Sequence, residues 1–138
     1  MRLHLRRIIL AAAVAALPAA IQAQDRNGAD WSTAQPVEVV LTNFKFTPKD
    51  LHLHHGQAYR LHFVNNGSGG HDFSAPEFFA ASDVEPTDGA ALKDGRVELA
   101  KGETRDVRVI PRTPGEYKVE CTHMMHATFG MRGSITVD

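Results

Sequence analysis

One eleven-residue stretch concentrates the chemistry of this sequence: Cys121-Thr-His-Met-Met-His126-Ala-Thr-Phe-Gly-Met131. It offers a thiol, two imidazoles and three thioethers. Soft sulfur combined with imidazole favours copper over hard cations, and a trigonal His₂Cys set with a long, weak Met is the composition of a blue copper site. The stretch supplies Cys121, a histidine and Met131, so a second histidine must come from elsewhere. His71 is the candidate. It follows the glycine-rich run NNGSGG (65–70), which lets the chain turn sharply, and Phe73 behind it would anchor the segment in a core. Cys121 is the only cysteine, so it cannot form an internal disulfide. A link between copies, a reactive thiol and a metal ligand remain, and its neighbours favour the ligand. His123 competes with His126 for the metal, although strand-like spacing turns it away from the neighbours of Cys121.

The segments that must position these residues alternate in hydrophobicity with period two and stop at turn signals. They are VEVVLTNF (37–44), DLHLHH (50–55), AYRLHFV (58–64), RVEL (96–99), RDVRVI (105–110), EYKVE (116–120) and RGSITV (132–137). Seven to eight short strands without a long amphipathic helix predict an all-β fold, a Greek-key sandwich or barrel. Tyr59, Leu61, Phe63, Val107, Val109, Tyr117, Val119, Ile135 and Val137 take its inward face. PEFFAA (76–81) predicts a helical turn with its phenylalanines buried. The polar run after it, with Asp83, Glu85, Asp88 and Asp94, predicts a solvated crossover. In DLHLHH the leucines point inward, so His52, His54 and His55 fall on a solvated face, with secondary metal binding as the other reading.

Residues 1–23 are expected to be a secretory signal peptide: MRLHLRR is basic, IILAAAVAAL is a short apolar run, and Ala23 offers a small-residue cleavage point. The apolar run is well short of the ~20 residues a bilayer-spanning helix needs. No stable membrane association is therefore expected after cleavage, and a periplasmic location follows. Residues 24–36 are polar and predict a flexible leader to a single domain over 37–138. Cleavage removes three arginines and leaves twelve basic residues against sixteen acidic, a net charge of −4. That balance argues against nucleic acid as a partner, since phosphate binding needs a basic face.

Three features together resemble the cupredoxin family of plastocyanin, azurin and rusticyanin. The first is F-x-P at Phe46–Pro48, followed by a strand and Gly56-Gln57. The second is G-H-D-F around His71. The third is Y-x-V-x-C over 117–121, the spacing C-x₄-H-x₄-M, and G-M-x-G-x-I-x-V over 130–137. The resemblance covers about residues 37–138. It implies His71 and His126 as equatorial imidazoles, Cys121 as equatorial thiolate and Met131 as axial thioether to one copper ion that cycles between Cu(I) and Cu(II). It also implies that His126 emerges through an apolar patch where redox partner proteins dock, here Met124, Met125, Ala127 and Phe129, with packing in the core as the other reading of Phe129. Many members carry Asn where this chain has Asp72, which implies a lower reduction potential. The expected function is single-electron transfer. A catalytic copper enzyme would need an open coordination position or further copper centres, which so short a chain does not supply. The alternative is a copper carrier or resistance protein, suited by the sulfur-rich CTHMMH and the HLHH run.

Overall fold

The computed structural model describes residues 28–138; the expected signal peptide and the start of the leader lie outside them. The strands are β1 (Gln35–Thr42), β2 (Lys45–Thr47), β3 (Asp50–Leu53), β4 (Tyr59–Asn65), β5 (His71–Ser74), β6 (Ser82–Val84), β7 (Arg96–Leu99), β8 (Thr104–Pro111), β9 (Gly115–Glu120) and β10 (Arg132–Val137). A short helix, α1 (Pro76–Ala80), follows β5. Two five-stranded sheets result, ordered β2-β1-β4-β8-β6 and β3-β10-β9-β5-β7. From β2 to β9 each successive strand lies in the opposite sheet, so the chain laces the two layers together. The β1–β4 and β3–β10 pairs are parallel and the others antiparallel. This is the expected all-β sandwich. Among the described residues no helix is long and apolar enough to cross a membrane.

The alternation in sequence becomes the burial pattern. β4 reads buried at Tyr59, Leu61, Phe63 and Asn65 and half-buried between them. Val107, Val109, Val119, Ile135 and Val137 join the same core, and Tyr117 packs at its edge with its hydroxyl donating to the Thr113 carbonyl at 2.7 Å. Phe78 and Phe79 of α1 are buried as expected. β1 starts at Gln35, so Gln35 and Pro36 belong to the sandwich, paired with Tyr59 and Arg60.

The crossover acids are not simply solvated. Glu85 is buried, and Asp88 receives Arg108 Nε at 2.8 Å, Arg108 Nη2 at 3.0 Å and the Arg108 backbone N–H at 2.9 Å. Arg108 Nη2 also reaches Glu85 at 3.1 Å. The crossover is thereby clamped to β8. Burial raises the Asp88 pKa, but the bonds from Arg108 outweigh it, and the net shift is down from 3.8. A depressed carboxylate stabilises the fold above its unfolded pKa and loses that contribution as pH falls through the folded value. Asp88→Asn is therefore expected to cost about 2 kcal/mol at pH 7. The gap to wild type should close as pH drops below about 3.8, as urea titrations across pH would show.

Candidate metal centre

His71 is the first residue of β5, and Cys121 is the first residue after β9. These strands are antiparallel neighbours with Ser74 opposite Glu120. Continuing that register sets Phe73 opposite Cys121 and Asp72 opposite Thr122. The loop from Cys121 then leaves the sheet and returns at Met131. It is closed at its base by the Cys121 N–H donating to the Met131 carbonyl at 3.1 Å, and by the Met131 N–H donating to the His126 carbonyl at 3.0 Å. Loop and strand together bring His71, Cys121 and His126 to one point.

The donor atoms form a triangle. His71 Nδ1 and His126 Nδ1 are 3.1 Å apart, Cys121 Sγ is 3.4 Å from His126 Nδ1 and 4.0 Å from His71 Nδ1. A triangle with those sides has a circumradius of about 2.1 Å, and first-row ions sit about 2.0–2.3 Å from imidazole nitrogen and thiolate sulfur. One ion can touch all three atoms without rearrangement. Met131, the fourth expected ligand, is fully buried beneath the loop and joins the hydrophobic core.

Burial acts on the protonation of His71 and Cys121 in opposite senses. Burial, then the neighbouring His126 and His123, lower the His71 pKa, which keeps the ring neutral and its lone pair available. The Cys121 pKa is raised on balance: burial and the Asp72 carboxylate push it up, and the backbone N–H groups of Asp72 and His123 offset only part of that. Those two N–H groups are placed to brace a thiolate once a cation replaces the proton.

Residues outside the triangle hold its donors in place. Asn43 Oδ1 lies 3.4 Å from His71 Nε2, the ring nitrogen facing away from the triangle, and an outer partner of this kind fixes the orientation of a ligating ring. The buried Asn65 donates from Nδ2 to the carbonyls of Gly69, Leu99 and Ala100 and accepts the Gly67 N–H at 2.9 Å, which sets the turn before His71. A side chain at Gly67 would overlap the His71 imidazole, so the glycine run permits close approach as well as a sharp bend. Asp72, fully buried, accepts the Thr122 N–H at 2.7 Å and also the Thr122 hydroxyl, tying the His71 strand to the Cys121 loop.

His123 is outside the triangle. Its Nε2 lies 2.7 Å from Glu98 Oε1, and its ring stacks on His126 at 5.5 Å. His126 is half-buried within an apolar rim in which Met124, at 88% exposure, Met125 and Phe129 stand in solvent. Phe44 completes the rim, its ring edge-on to His126 at 5.2 Å and 5.2 Å from Phe129. Phe44 and Met125 both adopt positive φ, 62° and 67°, uncommon for bulky side chains and concentrated here at the site. His52, His54 and His55 are exposed and not part of the triangle; His54 pairs with Asp138 at 2.5 Å.

No curated protein sequence matches the chain. Among solved structures, auracyanin B is 27% identical, with a TM-score of 0.57 over 77% of this chain and 90% of its own. Dithionite-reduced auracyanin from the photosynthetic bacterium Roseiflexus castenholzii, 17% identical, shares the fold with a TM-score of 0.56 over 77% of this chain and 98% of its own. The McoA multicopper oxidase of the hyperthermophile Aquifex aeolicus, 16% identical, matches 80% of this chain with a TM-score of 0.62 but only 30% of the oxidase. The family model of the cupredoxin-like domain covers residues 8–137, and a match over nearly the whole length places the chain in the cupredoxin-like family.

Proposed function

We propose that the protein carries single electrons on one copper ion held by His71, Cys121 and His126, with Met131 as a weak axial thioether. The observation that carries the reading is the donor triangle, whose sides suit one ion bound to two imidazoles and a thiolate. Copper supplies the Cu(I)/Cu(II) couple when bound. The chain's own part is to hold the donors still. His71 is fixed by β5 and Asn43, Cys121 by β9 and the loop clasp, so both oxidation states meet one geometry. His71 and Cys121 are buried and His126 alone reaches the surface. That suits electron exchange through an imidazole edge rather than approach of a substrate. Redox partner proteins would dock on the apolar rim of Phe44, Met124, Met125 and Phe129, since exposed apolar clusters mark contacts. Auracyanin, described in a dithionite-reduced state, supports a redox role. The N-terminal sequence supports a periplasmic setting.

A second reading, copper carriage, is favoured by one observation: the soft thioethers of Met124 and Met125 stand in solvent beside His126, where Cu(I) could be passed on. Visible and EPR spectra of the copper-loaded protein test the first reading. An intense thiolate-to-Cu(II) band, one copper per chain and retention of that copper through repeated reduction and oxidation are expected. Loss of copper to a Cu(I) chelator on first reduction would favour the carrier, and absence of the band would overturn the electron-transfer reading.

A further inference from the structure

A second group of ligating side chains lies beside the triangle. Asp72 and Glu98 face each other across β5 and β7, and like charges directly opposite on a sheet destabilise it. His123 closes over them, and one ligand atom each from Asp72, Glu98 and His123 lies within 4.8 Å of the others. Thr122 takes two of the roughly four lone-pair positions of the Asp72 carboxylate. Arg96 stands on the far side, 4.0 Å from Asp72 and 3.2 Å from the Thr122 hydroxyl. The group grades from solvent to interior: Glu98 is 57% exposed, His123 33%, and Asp72 fully buried. Beyond it come His126, stacked 5.5 Å from His123, and then His71 and Cys121. The two groups differ in donor chemistry: carboxylate oxygens with one imidazole bind a hydrated dication loosely, whereas two imidazoles with a thiolate hold copper tightly.

We propose that Asp72, Glu98 and His123 form an outer station for the arriving copper ion, from which it passes to His71, Cys121 and His126. The assignment rests on the copper reading of the inner site. It gives Glu98 a role in the rate of loading and none in the finished centre. Carboxylates that concentrate a cation at a cleft raise association rates by ~10–10³. The test mixes apo protein with Cu(II) in a stopped-flow spectrometer and follows growth of the thiolate band. Glu98→Gln is expected to slow loading about tenfold and to end at the wild-type spectrum. Glu116→Gln, which removes the same charge from an exposed position at the far end of β9, should load within about twofold of wild type. Wild-type kinetics in Glu98→Gln, or equal slowing in both variants, overturns the outer station while leaving the inner site intact. A wild-type protein that develops no band overturns the copper reading, and this inference with it.

Discussion

Replacing Cys121 with serine should abolish the visible band of the copper-loaded protein and weaken copper binding by far more than the ~10–100-fold that loss of an outer partner costs. The thiolate is the only soft anionic donor in the triangle, and a serine hydroxyl stays protonated where a thiol does not. His71 and His126 would remain 3.1 Å apart, enough for weak imidazole-bound copper with the spectrum of an ordinary nitrogen-ligated Cu(II). The fold should survive. Cys121 is one small side chain at the rim of a core built from both sheets, and the N–H groups of Asp72 and His123 that face its sulfur can donate to a hydroxyl oxygen instead. Apo stability should fall by about 1–3 kcal/mol, the cost of burying a hydroxyl, as thermal unfolding would show. A serine variant that kept the band would place the copper elsewhere.

Asp72→Asn is expected to raise the reduction potential by on the order of 100 mV, the effect of one unit charge removed from ~5–8 Å at an effective dielectric near 20. The carboxylate is fully buried, so solvent screens it little, and its negative charge favours Cu(II) over Cu(I). The carboxylate also works against the Cys121 thiolate, while the backbone N–H of the same residue supports it. An amide removes the charge and keeps the tie to the loop: its oxygen accepts the Thr122 N–H and its NH₂ donates to the Thr122 hydroxyl. Voltammetry of both proteins, with EPR showing unchanged Cu(II) geometry, separates this electrostatic effect from a disrupted site. An unchanged potential would show that the charge is already neutralised, with Arg96 at 4.0 Å the group to do it.

The meeting of Cys121 and His126 was legible because the two lie in one short loop, and nothing but that loop was needed to bring them together. The strands read from alternation were legible for a related reason: β7 and β10 fall on the expected boundaries, since each shows one face to the core and one to water. β5 was not read as a strand. All four of its residues are buried, so period two vanishes in the strand that carries His71. β2 and β6, three residues each, are too short to show any period. Asn43 and Phe44 were missed because they approach the site across the fold, and no local pattern marks an asparagine that will face an imidazole 28 residues later. Glu85 and Asp88 read as solvated acids because sequence does not distinguish a free carboxylate from one gripped by an arginine on a distant strand.

The hydrogen bond between Cys121 and Met131 makes the segment between them a closed appendage on two strands that pair independently of it. Lengthening such a segment is inexpensive, about 0.6 kcal/mol for each doubling, and leaves the register of β9 and β10 untouched. Descendants of this chain are therefore free to alter the spacing between thiolate, imidazole and thioether by insertion or deletion. On the copper reading each change would retune the ion's affinity and electron energy at little cost to the scaffold below.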